Sequence, residues 1–320
     1  MTALRDLLEL VRAPAALSVP GDVVAGAAAG RALGGRTLGL ACSSVCLYWA
    51  GMAANDWADR HLDAVERPER PIPSGRVPPS TALALAAGLT VAGVAMAGLT
   101  GGRRALAVAV PLAAAVWTYD LVAKNTSAGP LAMAACRGLD VLLGATPGRH
   151  LAAALPSAVT VSAHTYLLTD LSRGETSGTS RLRPAATLAA TLALATTAAP
   201  RPLPPTSLPA TRRSSGSGPL PAARHPSGPS PLPATGRPVA GAVAQAGLAG
   251  WYAAQFGSPQ ARAVADPSAA RVRAAVTAGI VSLPALQGAL VARAGAPRIG
   301  LALAAVVPLA RRLARKLSPT

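Results

Sequence analysis

Long apolar runs rich in Ala, Leu and Val recur along the chain and are separated by short polar links. About 20 such residues suffice to carry a helix across a bilayer. Apolar residues follow one another continuously in these runs and do not alternate with polar residues, which favours helices over a β-barrel. We therefore predict an all-α, polytopic membrane bundle of about nine helices. The candidate spans lie at about 14–33, 38–54, 80–100, 105–123, 129–148, 151–169, 184–199, 239–256, 274–292 and 298–312.

The runs divide the chain into three parts. Residues 1–199 form a transmembrane part that carries two polar motifs, and residues 239–320 add the C-terminal helices of the same bundle. Between them, residues 200–238 are rich in Pro, Ser and Arg and contain no acid. This composition is typical of a disordered loop. A disrupted reading frame is the alternative, because another frame of an Ala/Leu/Val helix in GC-rich coding sequence readily encodes Pro, Arg and Ser.

Composition supports membrane insertion and argues against nucleic-acid binding. Hydrophobic residues make up 51% of the chain, charged residues 13%, and the mean hydropathy is +0.38. The net charge of +17 would suit a nucleic-acid partner in a soluble protein, but aromatic residues for base stacking make up only 3%. The arginines lie mostly between apolar runs, where lipid headgroups are expected. We predict a multi-pass cell-membrane protein whose more basic side, carrying the acidic motifs, is cytoplasmic.

The first polar motif, NDWADRHLDAVERPERPIPSGR, follows the second span at residues 55–76 and contains five of the thirteen acidic residues. Helical steps of about 100° place Asp56, Asp59 and Asp63 within roughly 60° of one another. Burying a charge at mid-bilayer costs about 3 kcal/mol. The motif must therefore face water or a polar cavity.

A second polar motif, TDLSRGETSGTSRLR, follows another span at residues 169–183. Counting spans places both motifs and Lys124 on one side of the membrane. Clustered carboxylates beside basic residues suit Mg²⁺ bridging a diphosphate, since hard oxygen ligands hold the metal and basic groups contact the remaining phosphate oxygens.

Arg137 lies within an apolar run, and Asp140, three residues on, is its simplest partner.

The first motif resembles the NDxxDxxxD signature of UbiA-type membrane prenyltransferases, and RPIPSGR after it is also typical of that family. Tyr119 and Lys124 in YDLVAK are similar to the family's Y-x-x-x-x-K pattern. The second acidic motif of the family falls where TDLSRGETSG stands. The resemblance implies a bundle around a central cavity that transfers an isoprenyl group from a prenyl diphosphate to an acceptor, with Mg²⁺ as cofactor and the lipid bilayer as environment.

The resemblance also implies roles for individual residues. Arg67, Arg70 and Arg173 are assigned because of their charge and their position in the sequence. Predicted catalytic residues are Asp56, Asp59, Asp63 and Tyr119. Predicted diphosphate-binding residues are Asn55, Arg67, Arg70, Lys124 and Arg173. Predicted metal ligands are Asp56, Asp59, Asp63, Asp170 and Glu175.

The second motif departs from the family's D-x-x-x-D pattern. Asp170 keeps its place, but Gly174 stands at the second acidic position and Glu175 follows it. We expect Glu175 to reach the metal, or Arg173 to replace part of the metal's charge. A similar alteration is associated with the UbiA-like branch that includes EboC.

Three function classes fit these residues: a prenyltransferase, a catalytically weakened relative that binds isoprenoids or assists assembly, and a transporter. The transporter is disfavoured because paired broken helices in two similar halves are not evident. The motifs identify neither the acceptor nor the prenyl chain length.

Overall fold

The computed structural model describes residues 3–200 and 236–305, and this part of the chain is helical with no strand. Its α-helices are α1 Leu4–Leu10, α2 Pro20–Ala29, α3 Gly35–Ala58, α4 Arg60–Glu66, α5 Pro79–Thr118, α6 Gly129–Ala145, α7 Leu155–Ser172, α8 Leu182–Ala198, α9 Gly236–Ala265 and α10 Ala269–Arg293. Shorter 3-10 segments cover Ala13–Ser18 and Leu151–Ala154, a π-helical turn covers Tyr119–Ala123, and a last helix, α11, covers 297–305. The all-α prediction is confirmed.

Within the described residues, four helical stretches are long and apolar enough to cross a bilayer: Gly35–Ala58, Pro79–Ala123, Leu151–Ser172 and Ala269–Arg293. This supports a multi-pass membrane protein but does not confirm the predicted count of about nine spans. Most of the Pro/Ser/Arg-rich segment, at 201–235, and the C-terminal residues 306–320 lie outside the described part. The predictions for those residues stay untested.

Helix α5 consists of two helical segments joined at Gly102. A straight helix of this length would extend about 60 Å, twice the thickness of the bilayer core. At Gly102 φ is +67° and ψ is −157°, a conformation that suits glycine. The indole of Trp117 donates a hydrogen bond of 3.0 Å to Thr90 Oγ1, which requires the chain to fold back. The break therefore separates the predicted spans 80–100 and 105–123.

The first predicted span, 14–33, is not one kinked helix. A 3-10 segment ends at Ser18, and α2 begins at Pro20. Proline is well suited to the first turn of a helix, because the N–H that it lacks has no intrahelical partner there. Pro20 therefore begins a helix inside this predicted span.

Helix α2 crosses α6 at very short range through two glycines. A Cβ added at Gly26 would lie 1.7 Å from the Val141 carbonyl oxygen, and one added at Gly144 would lie 2.0 Å from that of Val23. Small residues allow helix backbones to approach in this way. The contact fixes α2 and its Asp22 against α6.

Replacing Gly144 with Leu is expected to separate α2 from α6 and lower the thermal unfolding midpoint of the detergent-purified protein. Overpacking in a well-packed core costs about 1–3 kcal/mol. Gly88→Leu on α5 is the matched control, because an added Cβ there meets nothing within 4 Å. Equal midpoints for the two variants would contradict the close crossing.

Candidate active site

The three aspartates of the first motif lie where α3 passes into α4. Helix α3 ends at Ala58, and Asp59 joins the two helices with φ −85° and ψ 1°. Backbone hydrogen bonding continues through the junction, from Asp59 N–H to Asn55 O at 2.9 Å and from Asp63 N–H to Asp59 O at 2.8 Å. Asp56 and Asp63 are 4% and 2% exposed, whereas the Asp59 side chain is 23% exposed.

Basic residues from the following turns neutralise the two buried aspartates. Arg70 Nη1 lies 2.6 Å from Asp63 Oδ2 and 3.4 Å from Asp56 Oδ1. Arg67 Nη1 lies 3.7 Å from Asp63 Oδ1. The structure thus brings the predicted Arg67 and Arg70 into contact with the predicted carboxylates, and these contacts compensate the charge of the two buried aspartates.

Arg12 also belongs to this cluster, although the sequence analysis did not select it. Its Nη2 donates to Asp56 Oδ1 at 2.9 Å. Its backbone has a left-handed φ of +48°, which is uncommon for a residue other than glycine and often marks a functional position. Nothing in the local sequence pattern predicts this contact, because it joins residues 44 positions apart.

Arg76, the last residue of RPIPSGR, anchors the segment that carries Arg70. Its guanidinium contacts Glu9 through two bonds of 2.8 and 2.9 Å and Asp6 through one of 2.7 Å. The hydrogen bond from Arg76 lowers the pKa of the Glu9 carboxyl. The basic end of this motif therefore binds the loop to α1 and does not enter the acidic cluster.

The end of α5 completes the first half of the site. Lys124 Nζ lies 2.6 Å from Asp59 Oδ1. Tyr119 opens the π-helical turn, a feature often found at functional sites. The next residue, Asp120, is buried and accepts a 3.2 Å hydrogen bond from Asn55 Nδ2. Asp120 was not predicted, although it stands inside the YDLVAK pattern.

The residues of the second motif contact different parts of the structure. Arg173 donates to the Thr126 carbonyl oxygen, so it lies beside the loop that follows Lys124. Asp170 instead pairs with Arg183 at 3.3 Å, and the Glu175 backbone carbonyl accepts a 2.6 Å bond from Arg273. Burial raises the pKa of the Glu175 carboxyl, although the charge of Arg273 opposes this shift.

Gly174, which stands at the altered acidic position, is tightly enclosed by its own loop. An added Cβ would lie 3.0 Å from Thr179 Cβ and 3.2 Å from the Gly178 carbonyl oxygen. A side chain at this position would require these neighbours to move by a few tenths of an ångström. Glycine, which stands here in place of the family's second acid, therefore suits the close packing of this loop.

Within residues 3–200 and 236–305, no three His, Cys, Asp or Glu side chains lie close enough together to form a metal site. The three aspartates of the first motif and Asp170 each contact a basic side chain. Asp56 and Asp63 nevertheless both lie within 3.5 Å of one Arg70 nitrogen. Two carboxylates that share one cation in this way fit a hard divalent cation.

A cavity of about 90 Å³ lies between α3, α5 and α6. Its wall is mostly apolar and includes Leu47, Leu112 and Val116. Its polar points are Ser44, Tyr119, Asp120, Arg137 and Asp140. Because Asp120 also contacts Asn55, the cavity adjoins the charged cluster at the helix ends.

The sequence matches the UbiA prenyltransferase family over residues 17–199, more than half of the chain, and this range contains both polar motifs. The chain belongs to the UbiA prenyltransferase family. The resemblance carried by the first motif is confirmed. The comparisons do not resolve the branch of the family, so the likeness to the EboC branch stays a prediction.

Individual relatives match shorter segments of this UbiA-family chain. The digeranylgeranylglyceryl phosphate synthase of Methanopyrus kandleri is 37% identical over 158 residues, which cover 48% of this chain and 56% of the relative. The bacteriochlorophyll synthase 33 kDa chain of Rhodobacter capsulatus is 36% identical over 84 residues, covering 26% and 27%. The matched segment thus spans about half the length of the first relative and less of the second.

Two solved structures share the fold at low sequence identity. One, from work on digeranylgeranylglyceryl phosphate synthase in membranes, has a TM-score of 0.58 at 15% identity and covers 92% of this chain and 99% of its own. The apo structure of a UbiA homolog from Aeropyrum pernix K1 has a TM-score of 0.54 at 19% identity, with coverages of 86% and 96%. The helical arrangement is therefore that of the UbiA fold.

Proposed function

We propose that this UbiA-family protein is a Mg²⁺-dependent intramembrane prenyltransferase that moves an isoprenyl group from a prenyl diphosphate to a small-molecule acceptor. One observation carries the proposal. The ends of α3 and α5 bring the first-motif carboxylates and Lys124 together at the edge of an apolar cavity. A diphosphate requires the charged rim, and a prenyl chain requires the apolar space.

Asp56, Asp59 and Asp63 would hold the metal in this proposal, since their oxygens are the ligands that Mg²⁺ prefers. When bound, Mg²⁺ supplies positive charge that stabilises the departing diphosphate. Asp170 and Glu175 stay predicted ligands of the second motif, and the contact of Asp170 to Arg183 would have to open for Asp170 to reach the metal.

The basic residues would bind the diphosphate oxygens. In the structure Arg70 and Lys124 neutralise the carboxylates. Turning these side chains from carboxylate to phosphate keeps the charge balanced, because the donor brings its own negative charge. Arg173 lies beside the same loop through Thr126 and would add a further contact. Asn55 holds Asp120, and Tyr119 lines the cavity where the allylic carbon would lie.

We further propose that this charged end of the bundle faces the cytoplasm. The basic residues Arg60, Arg67, Arg70 and Arg76 all follow α3 within a short segment, and basic loops are retained on the cytoplasmic side. Water-soluble Mg²⁺ is supplied from that side, and diphosphate would be released to it.

The direct test is diphosphate release by membranes that contain the full-length protein. Geranylgeranyl diphosphate is the donor, chosen because the relatives' names include this group, and a cell extract supplies acceptors. We expect release with Mg²⁺ and its loss with excess EDTA, because the separated carboxylates need a metal to bind the donor productively. Release that is unaffected by EDTA, or equal to that of membranes lacking the protein, would overturn the proposal.

A further inference from the structure

A second polar cluster, outside both acidic motifs, adjoins the cavity through Arg137 and Asp140. Arg137 Nε on α6 lies 2.8 Å from Asp22 Oδ2 on α2. The other oxygen, Asp22 Oδ1, accepts a 2.7 Å hydrogen bond from Gln287 Nε2 on α10. The ion pair of Arg137 is therefore with Asp22, and not with Asp140 as their spacing predicted.

This arrangement leaves one acceptor and one donor unused beside the cavity. Asp140 Oδ2 accepts a 2.6 Å hydrogen bond from Ser44 Oγ, whereas Asp140 Oδ1 has no partner. Arg137 Nη2 is likewise buried without a hydrogen-bond partner. Asp140 is 5% exposed, and both residues line the cavity. Buried polar atoms are nearly always hydrogen-bonded to protein or water, so these two atoms at one cavity are available to bind a polar group.

We propose that Asp140 and Arg137 bind a hydroxyl group of an uncharged acceptor. This inference rests on the proposed function, because it names the acceptor class for the same cavity. A hydroxyl is both a donor and an acceptor, so it can donate to Asp140 Oδ1 and accept from Arg137 Nη2. An ammonium group only donates and would leave Arg137 unsatisfied.

The charges around the cavity disfavour an anionic acceptor group. Asp120 and Asp140 both line it, while the one lining guanidinium, Arg137, is already neutralised by Asp22. A carboxylate or phosphate only accepts hydrogen bonds and would face Asp140 in a region of low dielectric. The hydroxyl assignment thus follows from charge as well as from hydrogen bonding.

The position of Asp140 and Arg137 in the cavity is suited to binding the acceptor. Tyr119 and Asp120 line the same cavity, and Asp120 contacts Asn55 of the first motif. A hydroxyl at Asp140 would therefore share one cavity with the end of the donor site, as a nucleophile must.

The test compares two photoreactive probes on the purified full-length protein in detergent. Both carry a diazirine on the same alkyl chain, and one ends in a primary alcohol and the other in a carboxylate. Labelling of the cavity segments of α3 and α6 is measured by mass spectrometry at equal probe concentrations. We expect the alcohol to label at least about tenfold more, the effect of one charge-assisted hydrogen bond. Equal labelling, or stronger labelling by the carboxylate, would overturn the inference.

Two variants separate recognition from simple packing. Asp140→Leu should reduce alcohol labelling about tenfold. Asp22→Asn should shift the preference about tenfold toward the carboxylate, because it leaves the charge of Arg137 uncompensated. Asp266→Asn is the matched control, since Asp266 is exposed between α9 and α10. An unchanged preference in Asp22→Asn would contradict the charge argument, and the wild-type comparison decides the inference if either variant fails to fold.

Diphosphate release from the same preparations distinguishes the two proposals. A wild-type protein that releases diphosphate but shows no alcohol preference would refute only the acceptor class. A protein that prefers the alcohol but releases no diphosphate with Mg²⁺ would refute the proposed function and leave Asp140 as a hydroxyl-binding residue.

Discussion

Asn in place of Asp59 is expected to abolish Mg²⁺-dependent diphosphate release, with a loss of at least about hundredfold in the rate. The substitution removes one negative oxygen ligand, and about 3 kcal/mol of lost transition-state stabilisation corresponds to this factor. Asp59 is the most informative of the three aspartates because it is partly exposed and its partner is a single lysine, so folding should tolerate the change. Asp63→Asn should show a similar loss.

The same substitution should lower the rate of diphosphate release without weakening donor binding. Lys124 lies 2.6 Å from Asp59, and the neutral amide would leave its ammonium available for the diphosphate. We expect unchanged or lower KM for geranylgeranyl diphosphate together with the lost kcat. Asp266→Asn, the same chemical change at a 58% exposed side chain, should leave both constants unchanged. Full release by Asp59→Asn at normal Mg²⁺ dependence would remove the metal from the proposed mechanism.

The sequence predicted those parts of the structure that depend on local pattern. Apolar runs predict helices because the backbone must satisfy its own hydrogen bonds in lipid. The ordered aspartates and the Tyr119 to Lys124 spacing predict the family, which is confirmed. The span count predicts that Lys124 lies on the same side of the membrane as the first motif, and the contact of Lys124 with Asp59 joins the ends of α5 and α3.

Contacts between distant parts of the chain could not be predicted in this way. The pairing of Arg12 with Asp56 depends on how the 3-10 segment turns, and the pairing of Arg137 with Asp22 depends on the glycine crossing of α2 and α6. No spacing rule contains such information, because each pair joins separate elements. Arg137 has two aspartates within reach of its helix, and only packing decides which one it contacts.

The contacts made by the residues of the second motif could not be predicted from the sequence either. Its sequence offers Asp170 and Glu175 as metal ligands by analogy with the first motif. In the structure the side chain of Asp170 is engaged by Arg183, and Gly174 sits in a closed loop. A motif specifies which residues are available, whereas neighbouring charges decide where each carboxylate points. These ligands therefore stay predictions.

Arg70→Gln is expected to cause the largest loss of stability among substitutions at the site. Arg70 contacts both Asp63 and Asp56, which are almost fully buried. Breaking a buried ion pair by removing one partner costs about 3 kcal/mol or more. Asp63 would then keep only the longer, 3.7 Å contact to the half-exposed Arg67. A marked fall in the thermal unfolding midpoint of the detergent-purified protein is the measurement. Arg271→Gln removes an exposed ion pair with Asp266 and should have little effect.

A second substitution separates the structural role of Arg70 from its proposed role in binding diphosphate. In the double variant Arg70→Gln/Asp63→Asn the charge left without its main partner is also removed. The unfolding midpoint should therefore recover most of its loss, since removing both members of a buried pair is often nearly neutral. Diphosphate release should not recover, because both a metal ligand and a phosphate contact are then missing. Recovery of release together with stability would show that Arg70 and Asp63 only hold the fold, and would move the proposed metal site toward Asp56 and Asp59.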